Sequence, residues 1–311
     1  MTEQAATRDG YGKAMCKLAS NPNVVALDAD LSCSTKSASL AKECPERFFN
    51  MGISEQNMIG VAAGIASCGK IVYASSFAVF AAERAFEQIR NSVAYSGLNV
   101  RIVGSHAGLL TGEDGASHQA IEEVGALRSV PNMTIISPAD AIEAEKATMA
   151  LADYEGPVYL RLGRMKTPIL FDEDYKFEIG KGVQLKEGKD MTIIATGALV
   201  HRALEAAKIL ETENISARVI NIHTIKPIDK EIIIKSAKET GAIVTAEDHN
   251  IIGGLGSAVA EVLAENHPAI IERIGVKDTF GESGSPDDLY EKYGLTEKHI
   301  AEAAKRIIKR K

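Results

Sequence analysis

Short apolar runs alternate with helical patterns from one end of the chain to the other, and few folds accept that alternation. "NVVALDAD" (23–30), "KIVYASS" (70–76), "NVRIVGS" (99–105), "MTIISP" (133–138) and "PVYLRLG" (157–163) read as buried strands. Helical stretches lie between them, over 8–19, 54–68, 78–95, 117–128 and 139–152. Continuously apolar strands separated by helices imply parallel pairing with crossovers that cover both faces of a sheet. Residues 166–190 break the pattern with charge, Gly and Pro, and read as a linker carrying a small hairpin. The alternation then restarts with "MTIIATG", "ISARVINIHT", "GAIVTAED" and "AIIERIGV" as its strands. The expectation is an α/β chain of two doubly wound domains. The first, over 1–168, has a mainly parallel sheet; a linker covers 169–190, and a smaller α/β domain covers 191–311.

At 311 residues such a chain buries roughly three quarters of its unfolded surface. A net charge of −7, with no Lys/Arg stripe, argues against a nucleic-acid surface. No uncharged run reaches the roughly 18 residues of a membrane span, and the N-terminus lacks a basic segment followed by an apolar one. Cys16, Cys33, Cys44 and Cys68 fit no metal or redox spacing. Reduced thiols in a cytoplasmic protein are expected, with no membrane and no nucleic-acid partner.

Some chemical motifs are decoys. "GGLGSA" (253–258) puts Val259 where a dinucleotide fingerprint needs Gly or Ala, so it reads as a tight helix entry. Asp28 and Asp30 have no third ligand near them in sequence, and no metal site is expected; a strand-end carboxylate at a helix N-terminus suits them better. Other features point to a site. In the helix over 54–68, Ser54 is the expected N-cap, its hydroxyl accepting an orphan N–H, yet Glu55 puts a carboxyl at the entrance of an almost wholly apolar helix. "GSHAGLLTGEDGASHQ" (104–119) follows a buried strand at the carboxyl edge, where open α/β sheets bind ligands. Its His106 and His118 can donate to oxygens or shuttle protons, beside Glu113 and Asp114; a hydrated loop with incidental histidines is the other reading. Arg161 and Arg164 end the strand "VYLRLGR" on the same sheet edge and could clamp an anion. Phe77 and Phe80 lie three apart at a strand-to-helix junction, a spacing that serves a core or a stacked flat ligand. Arg8 is uninformative by itself.

"GISEQNMIGVAAGIA", "SSFAVFAAERAFEQIR" and "SHAGLLTGEDGASHQAIEEVGALRSVPNMTIISPAD" resemble the pyrimidine-binding domain of transketolases. "INIHTIKPID" and "EDHNIIGGLGSAVAE" are similar to the transketolase C-terminal domain. The resemblance covers essentially the whole chain. It implies thiamine diphosphate and Mg²⁺ as cofactors and transfer of a two-carbon ketol unit from a ketose phosphate to an aldose phosphate. Glu55 matches the glutamate that hydrogen-bonds N1′ of the aminopyrimidine and shares a proton with it. Phe77 and Phe80 match the aromatics packed on that ring, and Asp30 a cofactor-proximal aspartate. His106 and His118 match histidines that contact substrate hydroxyls and carbonyl, with Asp114 on the donor's hydroxyl. Arg8, Ser34 and Arg161 match the positions that hold a sugar phosphate, with Arg164 as the alternative to Arg161.

One part of the family pattern is missing: the GDG motif, with Asn about thirty residues on, that holds Mg²⁺ and the diphosphate. The resemblance therefore implies the C-terminal half of a split transketolase, inactive alone and completed by an N-terminal subunit that carries GDG, most simply as a heterotetramer. Glu83 stands where some members place an aromatic. Related readings are a half of a 1-deoxyxylulose-5-phosphate synthase or the beta subunit of a 2-oxoacid dehydrogenase. A catalytically silent regulatory or scaffolding partner is a third, of another class.

Overall fold

The computed structural model describes residues 3–311. Its strands in chain order are β1 (Gln4–Ala5), β2 (Val24–Asp28), β3 (Phe48–Asn50), β4 (Ile71–Phe77), β5 (Val100–Ser105), β6 (Thr134–Ile136) and β7 (Val158–Arg161). They continue as β8 (Thr167–Pro168), β9 (Val183–Lys186), β10 (Met191–Ala195), β11 (Ala217–Asn221), β12 (Thr224–Lys226), β13 (Ala242–Asn250) and β14 (Ile270–Val276). Seven of them form one sheet in the order β12-β6-β7-β5-β4-β2-β3, parallel except for β12 at its edge. Five form a second sheet, β14-β13-β10-β11-β9, parallel except for β9.

Both sheets are covered on both faces, as their buried, largely apolar strands require. Helices Glu55–Ser67 and Glu123–Arg128 seal one face of the larger sheet, and Thr7–Leu18 and Ala141–Ala150 the other. The last two pack so closely that a Cβ on Gly10 would lie 2.0 Å from the carbonyl oxygen of Ala141. On the smaller sheet Leu199–Thr212 and Glu297–Ile308 oppose Lys230–Thr240 and Leu255–Asn266. No helix among the described residues is long and apolar enough to cross a membrane.

Several local expectations need correction. The hairpin in the linker does not form: β8 pairs with β1 as a separate two-stranded ribbon, and β9 adds to the open edge of the smaller sheet at β11. The helix expected over 117–128 begins only at Glu123. Before it, the N–H groups of His118 and Gln119 both turn back to the Gly115 carbonyl, so the backbone is already committed to a turn. The helix over 78–95 is wound in wide π-type turns at Val79–Arg84 and Ile89–Ala94, a geometry that recurs at functional sites. Ser54 does not cap through its side chain: its hydroxyl donates to the Met51 carbonyl at 2.7 Å.

Candidate active site

Parallel register brings the chemistry to one edge. Phe77 pairs with Ser105, and Gly104 with Arg161, so the carboxyl ends of β4, β5 and β7 lie side by side. Next to them β2 ends at Asp28. That buried carboxylate is fully used: it accepts from the Leu31 N–H at 2.6 Å and from the Thr35 and Ser37 hydroxyls at 2.7 Å each. It holds the turn in which exposed Asp30, at φ +67°, accepts from Asn50 Nδ2 at 2.8 Å.

Glu55 opens its helix buried at 2% exposure. Among the described residues its Oε2 has no hydrogen-bond partner, and it lies 3.8 Å from Nε of the exposed Arg84, too far for more than a solvent-screened attraction. An orphaned buried carboxyl oxygen is costly and invites an external donor. Phe77 and Phe80 stack on one another with centroids 6.0 Å apart, and His118 meets the edge of Phe80 at 5.3 Å.

The two histidines differ in chemistry. Arg8 Nη1 lies 3.2 Å from His106 Nε2, and a guanidinium can only donate, so Nε2 is the acceptor. The remaining ring proton is then on Nδ1 and donates to Ser105 Oγ at 2.7 Å. Burial, and then the charges of Arg8 and Arg164, push the His106 pKa down to about 3, so the ring is neutral at working pH. With φ at +57°, strained for a side-chain-bearing residue, His106 is a fixed element. His118 is half-buried, and only its Nδ1 is engaged, with Ser117 Oγ at 2.9 Å.

Arg8 also donates to the Ser34 carbonyl at 3.0 Å, while its Nε is buried without a partner. Burial, together with the nearby cation Arg164, lowers its pKa. Arg164, half-buried, donates to the Thr111 carbonyl at 3.0 Å and to Asp114 Oδ2 at 3.1 Å. Two neighbouring guanidiniums that repel each other have the chemistry to hold an anion. Arg161, expected among the phosphate-holding positions, makes its hydrogen bonds inside the fold instead. It is buried and spent internally, with Nε on Glu123 Oε1 at 2.5 Å and Nη2 on the carbonyls of Ala120 and Asp248 at 3.1 and 2.9 Å. Sequence reasoning missed Glu123, Gln119 and Asp248. The acid pair of "AEDHN" at the end of β13 was the available signal, since it too is a strand end.

Glu83 faces this buried cluster, with its Oε1 unpartnered. Burial, with Glu122 and Glu123 near it, raises its pKa from 4.5 to about 8. The folded chain thus binds this proton more tightly than the unfolded one. The stabilisation is complete below pH 4.5 and is lost as pH climbs through about 8. Glu83→Gln is expected to leave the melting temperature near pH 4.5 unchanged and to raise it at pH 8 and above, checked by thermal melts across that range; equal curves at both ends would refute the assignment.

Residues 3–169 match the transketolase pyrimidine-binding domain, and residues 180–300 match the transketolase C-terminal domain. A transketolase C-terminal section of Methanocaldococcus jannaschii is 53% identical over 298 residues, 94% of this chain and 93% of that protein. The 6-deoxy-6-sulfo-D-fructose transketolase subunit SqwH of a Clostridium species is 44% identical over 305 residues, 98% of this chain and 95% of SqwH. A solved split-gene transketolase, an inactive β4 tetramer, matches with a TM-score of 0.92 at 55% identity, covering 98% of both chains. The chain belongs to the transketolase family, of which it carries the pyrimidine-binding and C-terminal domains in succession.

Proposed function

We propose that the chain is the C-terminal subunit of a split transketolase, moving a two-carbon ketol unit from a ketose phosphate to an aldose phosphate in cytoplasmic carbohydrate metabolism. The observation that carries this reading is the orphaned, buried Oε2 of Glu55, at the head of a helix packed on the strand that ends in Phe77 of the Phe77–Phe80 pair, with Arg8, Arg164 and His118 at the same end of the sheet. Those residues fit the aminopyrimidine end of thiamine diphosphate: a carboxyl oxygen lacking a partner and an aromatic wall. When bound, the cofactor supplies a thiazolium carbon that serves as nucleophile and electron sink.

The chain's own residues then divide the work. Glu55 Oε2 holds the proton shared with the pyrimidine ring. Phe77 and Phe80 orient the ring and exclude water, and Asp30 lies at its margin. His118 Nε2 is free to exchange a proton with a substrate oxygen. His106 keeps Arg8 in place, and Arg8 with Arg164 and Ser34 grips the anionic end of the sugar, leaving Asp114 near the donor's hydroxyl. SqwH is named for a sulfonated sugar, and a guanidinium pair takes sulfonate as well as phosphate.

The diphosphate and Mg²⁺ are assigned to an N-terminal subunit bearing GDG. One point supports this. Relatives matched over more than nine tenths of their length are themselves named as a C-terminal section and a subunit.

The test is a ketol-transfer assay with xylulose 5-phosphate and ribose 5-phosphate, thiamine diphosphate and Mg²⁺. This chain is assayed alone and mixed with the GDG-bearing subunit of the same source. Turnover only in the mixture is expected. Turnover of pyruvate instead of ketose phosphate, or activity from this chain alone, would overturn the reading.

A further inference from the structure

We infer that Asp248, at the end of β13 in the second sheet, is a positioning residue that fixes the histidine loop of the first sheet over the reaction edge. The chemistry of the loop rests on the ketol-transfer reading; its geometry does not. The loop leaves β5 at His106 and closes on itself at a neck where the Gly108 N–H donates to the Ala120 carbonyl at 2.8 Å. Just past the neck the chain enters the short turn Leu109–Asp114, whose first N–H groups have no partner within the turn. The buried Asp248 carboxylate takes two of them, Leu109 N–H at 2.9 Å and Leu110 N–H at 3.3 Å.

The same strand grips the other side of the neck. The Asn250 N–H donates to the Ile121 carbonyl at 2.7 Å, and Arg161 Nη2 bridges the Ala120 and Asp248 carbonyls. The fit leaves no slack. Gly108 stands at φ +78°, and a Cβ there would lie 2.1 Å from Asp248 Oδ2. Farther along the loop, Gln119 Nε2 donates to the Gly112 carbonyl at 3.1 Å and to the Glu282 carbonyl of the second half at 3.0 Å.

This grip bears on the chemistry because the two histidines lie on either side of the neck. His106 precedes it by two residues, and its carbonyl accepts from Thr111 Oγ1 at 2.6 Å. His118 follows the turn. If the neck shifts, His106 moves against Arg8 and His118 against Phe80, and a misplacement of about 1 Å can cost on the order of a hundredfold in rate. The second half of the chain, which supplies none of the residues assigned to proton or anion handling, thereby sets the geometry of those that do.

The test has two readouts. The first is amide hydrogen exchange at Leu109 and Leu110 in the full chain without partner or cofactor. The wild type is expected to be protected. Asp248→Ala exchanges faster at both amides by about tenfold or more, as loss of a charged acceptor implies. Asp248→Asn, which keeps one acceptor oxygen, protects only one of them. The second readout is kcat in the reconstituted enzyme, expected to fall about tenfold or more for Asp248→Ala and less for Asp248→Asn.

A purely structural contact would lower the melting temperature and leave the kcat of the folded enzyme intact, and that result overturns the inference. So does unchanged loop exchange. Should Asp248→Ala fail to fold, the isosteric Asp248→Asn decides on both readouts. A wild-type mixture without ketol transfer defeats the functional reading, and with it the link to kcat, while the exchange data still judge the grip.

Discussion

Glu55→Gln is expected to cut ketol transfer by the reconstituted enzyme on the order of 10²–10⁴-fold, the range a positioned acid–base group contributes, while leaving the fold intact. The structural cost is small for reasons visible at the site. The lost oxygen has no hydrogen-bond partner, and its contact with Arg84 at 3.8 Å is through an exposed, solvent-screened side chain. What remains is the interaction of a charge with the first turn of the helix, worth about 0.3–1 kcal/mol. Glutamine keeps the shape and can still hydrogen-bond a ring nitrogen, but it cannot give up a proton to it. The substitution therefore separates holding the ring from moving its proton. Steady-state kcat at saturating thiamine diphosphate, with a thermal melt of the same preparation, checks this. A near-wild-type rate in Glu55→Gln would remove Glu55 from the chemistry, and with it the argument from the orphaned oxygen.

Glu55 also shows what a sequence discloses and what it withholds. A lone carboxyl at the head of an apolar helix is legible as an anomaly, because burial of an unpaired acid is costly wherever the helix packs. The strands were legible for a similar reason: short apolar runs, such as "VVAL" (24–27) and "IVYA" (71–74), suit a sheet covered on both faces. Pairings that depend on which edge is open were not. The segment Thr224–Lys226 carries no signal that it will add to β6, more than eighty residues earlier in the chain. Loop interiors were opaque too. Residues 117–122 have a helical pattern, but backbone donors committed to Gly115 and a Gln119 side chain bound across to Glu282 hold them in a turn. The histidines were found by their place at a strand's end, yet their different jobs follow only from Arg8, which is ninety-eight residues from His106 and forces its tautomer.

The two arginines of "VYLRLGR" give the sharpest contrast, since spacing cannot separate them and burial does. Arg161→Met is expected to destabilise the fold by about 3–5 kcal/mol, the cost of breaking a buried ion pair from one side. Glu123 is fully buried, and among the described residues its Oε2 already lacks a partner and Arg161 is the only cation bonded to its Oε1, where the Tyr159 hydroxyl also donates at 3.2 Å; two carbonyls, of Ala120 and Asp248, lose a donor as well. Against a total stability of roughly 5–15 kcal/mol this is a large fraction, and the urea midpoint reads it directly. Arg164→Met, by contrast, removes a half-buried guanidinium whose protein partners are a carbonyl and an exposed carboxylate, and should leave the midpoint in place. Its effect falls on substrate. Loss of a charged hydrogen bond worth about 1.5–3 kcal/mol corresponds to a KM for phosphorylated sugars raised about 10- to 150-fold, with kcat little changed because the anion is held equally before and during reaction. If Arg161→Met kept its stability and raised KM, the assignments would be reversed. The pair Arg161→Met with Glu123→Leu supplies the internal control: removing both charges should recover much of the stability lost by removing one, because the larger part of that loss is the stranded carboxylate and not the missing attraction.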